Sequence, residues 1–190
     1  MFLESQIAHK QKGSIEIICG SMFSGKTEEL LRRLRRAEFA KLKIIVFKPK
    51  VDKRYHKDNI VSHNNNLIEA IVVNDAKEML SLADSAQVVG IDEAQFFNKG
   101  LINVCNTLAD NGKRIIIAGL DMDFLGAPFG VMPHLLSIAE HVTKVHAICI
   151  DCGDIASYSF RKVKGNELIK LGEKKEYKAL CRGCFKKNNL

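Results

Sequence analysis

Between residues 15 and 145, short apolar runs rich in isoleucine and valine alternate with segments whose apolar positions recur every three or four residues. The first kind reads as strands buried on both faces and the second as helices laid against them, the pattern of a parallel sheet covered by helices. Strands are expected at 15–19, 43–47, 68–73, 88–91, 114–118 and 142–147, and helices at 26–40, 75–83, 99–111 and 133–140. Asp75 serves as a cap for the second helix, Gly112 closes the third, and Pro133 suits the first turn of the fourth.

Two stretches follow neither period. Residues 48–66 carry Pro49 and the polar run His63-Asn64-Asn65-Asn66, and read as a mobile loop. Residues 121–132 carry the turn formers Gly126, Pro128 and Gly130, and follow a strand end, where open parallel sheets hold their ligands, so a functional loop is expected there. Near Ala147 the alternation stops and charge rises. The chain is therefore expected to divide into a nucleotide-binding α/β domain at 1–147 and a small second domain at 148–190.

Composition adds limits. A hydrophobic share of 46% and a charged share of 27% are those of an ordinary soluble globular protein, and no apolar run is long enough to span a bilayer. Residues 1–14 lack the apolar stretch of a secretory signal, which points to the cytoplasm. The net charge of +7 has two readings, nucleic-acid binding or the collection of anionic nucleotides. The second is preferred, because Arg32-Arg33 and Arg35-Arg36 scatter over a helix surface and the basic segment 161–187 has few aromatics for bases to stack on.

The chemistry concentrates in three motifs. Gly20-Ser21-Met22-Phe23-Ser24-Gly25-Lys26-Thr27 follows an apolar strand and opens an amphipathic helix, the context in which Gly-x-x-x-x-Gly-Lys-Thr cradles a triphosphate. Backbone N–H groups and the helix N-terminus face the phosphates, Lys26 neutralises them, and the Thr27 hydroxyl serves Mg²⁺. A second buried run, Val88-Val89-Gly90-Ile91, ends in Asp92-Glu93. There Asp92 reads as the metal-side acid and Glu93 as the group that takes a proton from an attacking hydroxyl.

Six cysteines divide into two and four. Cys19 and Cys105 stand alone and read as buried small apolar residues. Cys149-x-x-Cys152 and Cys181-x-x-Cys184 supply four thiolates at the spacing of a closed, structural zinc site, with residues 153–180 looped between them.

In order and spacing these motifs, together with Asp92-Glu93-Ala94-Gln95-Phe96-Phe97 and Gly119-Leu120-Asp121-Met122-Asp123-Phe124 followed by Pro128-Phe129-Gly130, resemble the zinc-containing thymidine kinases of the cellular and bacterial type. The resemblance implies a RecA-like sheet, a homotetramer, feedback by thymidine triphosphate, and ATP-dependent phosphorylation of the thymidine 5′-hydroxyl, with deoxyuridine as a possible second acceptor, in nucleotide salvage for DNA synthesis. It makes Glu93 the catalytic base. It assigns Asp92, Gln95 and the loop segment Asp52, Lys53 and Arg54 to the nucleotide and its metal, beside the phosphate loop. It places Met22, Phe96, Leu120, Phe124, Phe129 and Ser159 around the base. Leu168, Ile169, Lys170, Leu171, Gly172 and Tyr177 belong to a lasso folded over the nucleoside. Three positions depart from the usual family pattern: Leu125 for arginine, Ser159 for threonine, and Lys170 for an apolar residue. The competing readings are a nucleic-acid-binding ATPase and a zinc-ribbon interaction module with a degenerate nucleotide site.

Overall fold

Alternate residues of the apolar runs enter two separate cores, one on each side of a sheet, as the two-residue period of a strand requires. The computed structural model describes residues 12–50, 59–61, 67–162 and 176–189. Six parallel strands form the sheet in the spatial order β5 (Ile71–Val73), β2 (Ile44–Pro49), β6 (Val88–Ile91), β7 (Arg114–Gly119), β1 (Ser14–Cys19) and β8 (His141–Lys144). The strand feeding the phosphate loop, β1, is thus separated by β7 from β6, the strand that ends in the acids. This is the RecA-like arrangement expected from the sequence.

On one face, Ile18, Ile116, Ala118, Val46 and Val88 meet Leu30, Leu31, Leu34 and Ala37 of α1 (Lys26–Phe39). On the other, Ile15, Ile17, Ile115, Ile117, Val89 and Phe47 meet Leu101, Val104, Cys105 and Leu108 of α3 (Gly100–Asp110), Met79 of α2 (Glu78–Leu82), and Met132 and Leu135 of α4 (Met132–Ile138). Pro133 lies in the first turn of α4 as expected. Asp75 sits before α2 rather than at its cap, accepting the Lys77 N–H at 2.8 Å.

The α1 face also carries charge on its strands. Glu16 is buried and accepts from Arg33 at 2.8 Å and from Arg114 at 2.6 Å, and Arg33 also reaches Glu29 and the Thr143 hydroxyl. Removing one partner of a buried pair strands the other charge, so Glu16→Ala is expected to destabilise the fold by about 3–5 kcal/mol, read by urea unfolding. A loss under about 1 kcal/mol would mean that Glu29 and Thr143 suffice for Arg33.

Two expected strands are each two elements. Within 68–73, β4 (Leu67–Glu69) pairs antiparallel with β3 (Asn59–Val61), and only β5 joins the main sheet. Within 142–147, β8 ends at Lys144, and β9 (Ala147–Ile148) pairs with β10 (Ile155–Ala156) outside the sheet. Beyond that point β11 (Tyr158–Arg161) and β12 (Tyr177–Leu180) form an antiparallel pair and α5 (Arg182–Asn188) follows. These elements bury their own cluster of Ala147, Ala156, Tyr158, Ala179, Leu180 and Phe185, with Tyr158 stacked on Phe185 at 4.5 Å. Among the described residues, no helix is long and apolar enough to cross a membrane.

Candidate active site

The phosphate loop leaves β1 at Gly20, whose φ of +149° and whose position against Val145 leave no room for a side chain. A Cβ there would lie 2.1 Å from the Val145 carbonyl oxygen. Phe23 adopts a left-handed φ of 64°, a conformation that non-glycine residues hold only where the surroundings impose it. The loop is curled on itself: the Ser24 hydroxyl and the Lys26 ammonium each donate to the Ser21 carbonyl at 2.7 Å. Triphosphate oxygens entering the curl would compete with that carbonyl for Lys26.

The acids stand across from it at the end of β6. Asp92 is buried, and the Thr27 hydroxyl donates to its Oδ2 at 3.4 Å. The phosphate loop and the β6 acid therefore offer hard oxygen donors side by side, the chemistry that a divalent cation of the magnesium type selects. Glu93 turns away through a left-handed φ of 53° into the short 3-10 turn Ala94–Phe96. This separates the two carboxylates: Asp92 faces the phosphate side, and Glu93 is partly exposed and held by the Gln95 amide.

The loop after β7 completes the site. Asp123 folds it by accepting the N–H groups of Leu125 at 2.9 Å and Ala127 at 3.0 Å. Phe129 is buried edge-on to Phe96 at 5.9 Å, and Phe124 lies beneath the Arg161 guanidinium at 3.5 Å. Leu120 and Met22 are partly exposed at the strand ends, and Leu125 is open to solvent. Ser159 on β11 is buried with its hydroxyl accepting the Met22 N–H at 2.9 Å, so this residue contacts the phosphate loop directly. Tyr177 is buried opposite Arg161 in the β11–β12 pair. Gln95, placed with the nucleotide by resemblance, reaches Glu93 and the Leu120 backbone N–H. Asp52, Lys53 and Arg54 of the long loop, and Leu168, Ile169, Lys170, Leu171 and Gly172 of the lasso, lie outside the described residues.

Three features were not foreseen. Arg161 and Lys144 carried no motif, and Asp121 stood inside one without a role. Asp121 is buried against Lys144 at 2.7 Å, and its Oδ1 has no hydrogen-bond partner among the described residues. That ion pair also raises the Lys144 ammonium above its ordinary value.

The four paired cysteines converge. The sulfurs of Cys149, Cys152, Cys181 and Cys184 lie within 4.8 Å of one another, and those of Cys152 and Cys181 are 3.6 Å apart. Four thiolates on one tetrahedral zinc ion at a metal–sulfur length of ~2.3 Å stand about 3.8 Å apart, so the cluster has the dimensions of a metal site. Cys181 caps α5 and its sulfur accepts the Cys184 N–H at 3.4 Å.

Cys19 and Cys105 are buried as expected. Burial pushes the Cys19 thiol up to about 11, with the Asp121 charge adding to it, and the Cys105 thiol to about 12. Neither forms the reactive thiolate near neutral pH. A thiol reagent is accordingly expected to leave both unlabelled in the folded, metal-loaded protein, to reach the paired cysteines after chelation, and to count all six only in denaturant. Rapid labelling of Cys19 in the folded protein would refute this reading.

A Gly-x-x-x-x-Gly-Lys-Thr loop leaving β1, an acid pair after β6 with one strand between, and the loop after that strand define a P-loop α/β protein of RecA-like strand order. Residues 13–185 match the family model described as thymidine kinase. The thymidine kinase of Porphyromonas gingivalis is 56% identical over 177 residues, covering 93% of this chain and 87% of that protein. That of Bacteroides fragilis is 53% identical over 188 residues, covering 98% and 94%, and that of a Rhodothermus species 52% identical over 173 residues, covering 91% and 81%. The chain belongs to the thymidine kinase family and is a kinase.

Proposed function

We propose that the chain transfers the γ-phosphoryl group of ATP to the 5′-hydroxyl of thymidine, giving thymidine monophosphate and ADP, with deoxyuridine as a second acceptor. The observation that carries this reading is a chain of contacts: Thr27 of the phosphate loop meets Asp92, Glu93 follows Asp92, and Gln95 joins the Glu93 carboxylate to Leu120 at the start of the phenylalanine-bearing loop. Donor phosphates at Gly20–Thr27 and an acceptor hydroxyl beside Glu93 would be in line for displacement. The Glu93 carboxylate takes the hydroxyl proton as the new oxygen–phosphorus bond forms and the bond to the bridging oxygen of ADP breaks. Lys26 and the loop N–H groups hold the charge of the transferred group. Thr27 and Asp92 would hold a magnesium ion, which would supply neutralisation of phosphate charge.

Met22, Phe96, Leu120, Phe124 and Phe129 form apolar walls suited to the thymine ring and its methyl group, with Ser159 and Tyr177 as polar anchors and residues 168–172 closing over the nucleoside. Asp52, Lys53 and Arg54 belong to the nucleotide side. Residues 1–147 act as the nucleotide-binding domain, and 148–190 as a module folded around zinc bound by Cys149, Cys152, Cys181 and Cys184. The enzyme works as a cytoplasmic homotetramer restrained by thymidine triphosphate.

The test is a comparison of nucleosides as acceptors in the presence of ATP and Mg²⁺. Thymidine is expected to drive ADP formation and appear as its 5′-monophosphate. ATP hydrolysis indifferent to nucleosides but stimulated by single-stranded DNA would replace this reading with the nucleic-acid-binding ATPase.

A further inference from the structure

Gln95 sits where the base and the acceptor wall meet. Its side chain is buried, with 3% of its surface exposed, yet both ends of its amide are engaged. Nε2 donates to the Glu93 carboxylate, and Oε1 accepts the Leu120 N–H at 2.9 Å. A carboxylate only accepts and a backbone N–H only donates, so one orientation of the amide satisfies both, and the side chain cannot flip without losing both. The backbone is equally confined: Gly130 approaches so closely that a Cβ there would lie 2.4 Å from the Gln95 carbonyl oxygen. Glu93 itself holds a left-handed φ of 53°, a strained conformation that persists where neighbouring contacts impose it.

We infer that Gln95 is a positioning residue that couples the acceptor pocket to the base. It aims the Glu93 carboxylate through one end of its amide, and through the other it ties that aim to Leu120, the first residue of the nucleoside-facing loop. The inference rests on the proposed role of Glu93. A nucleoside that settles against Leu120 thereby braces the group that must receive its proton, and a misfitting one leaves the carboxylate less well aimed. Misplacement of a reacting group by about 1 Å lowers rates by about 10²-fold, which sets the scale of the effect.

Two variants separate the two ends. Gln95→Glu keeps an acceptor for Leu120 but replaces the donor to Glu93 with a like charge. Its kcat is expected to fall about 10–10²-fold with the thymidine KM within about threefold of the parent. Gln95→Met keeps the length and loses both bonds, so kcat falls similarly and the thymidine KM rises as well. Each substitution is also made in the Glu93→Gln background, with ATP affinity and Tm measured throughout. Because Gln95 acts through Glu93, neither is expected to lower the residual turnover of Glu93→Gln by more than about twofold. An equal fractional loss in both backgrounds would make the role merely structural and overturn the inference, as would parental kcat in Gln95→Glu. Should Gln95→Met fail to fold, Gln95→Glu alone decides. If Glu93→Gln itself retained full turnover, the base assignment would fall first and this inference with it, a pattern distinct from loss at Glu93 without loss at Gln95.

Discussion

Replacing Glu93 by glutamine is expected to lower turnover with thymidine about 10²–10⁴-fold while ATP affinity stays within a few-fold. The substitution keeps length and planarity but removes the charge that accepts the proton. The geometry explains why nucleotide binding should survive. The Glu93 backbone N–H donates to Asp92 Oδ1 at 2.9 Å, an interaction that does not involve the side chain, and the Thr27–Asp92 contact lies on the opposite side of the turn. A glutamine amide can still meet Gln95, so the turn from Ala94 to Phe96 has no reason to unwind. Steady-state kinetics beside titration with a non-hydrolysable ATP analogue give both readouts. Turnover within about threefold of the parent would move the proton to another group or to water. Collapse of ATP affinity would instead mean that Glu93 belongs to the donor side.

How far this site was legible in the sequence depended on whether the signal was local. Gly20–Thr27 is a contiguous pattern whose context, strand before and helix after, is written in neighbouring residues, and α1 begins at Lys26 as expected. The acids on β6 were equally local. The proposed division of labour between them was read from their order after the strand, but the left-handed turn at Glu93 that separates the two carboxylates was not, because the residue type gives no warning of it. Periodicity could not divide 68–73 into β4 and β5, because it records which residues are buried and not which strand they pair with. Ala70, buried between the two, carries the apolar run on past Glu69. Ser159 was named through resemblance as a residue near the base. That its hydroxyl receives the Met22 N–H depends on a contact spanning 137 positions, which no window of sequence contains.

That contact ties the cysteine-bearing module to the phosphate loop, and the largest expected loss from a single distant change follows from it. Cys181→Ser exchanges a thiolate for a neutral hydroxyl. The variant is expected to lose its metal and with it at least about 10²-fold in thymidine turnover, although no cysteine touches the reacting atoms. Magnitudes decide the point. Among its described residues, the larger buried side chains of the module are those of Tyr158, Arg161, Tyr177, Leu180 and Phe185, a core of the size that small domains reinforce with a metal. A structural zinc ion supplies about 10–16 kcal/mol in comparable thiolate sites, as much as the whole stability of a domain at about 5–15 kcal/mol. Without the ion, the β9–β10 turn and the β12–α5 corner lose their tie. Ser159 then no longer braces Met22, and Arg161 leaves the face of Phe124. The main sheet keeps its two cores, so ATP binding should weaken far less than thymidine binding. Metal analysis, thymidine KM and ATP affinity on the same preparations separate these effects. A metal-free Cys181→Ser protein with the parental thymidine KM would show that the nucleoside side is held by the sheet alone.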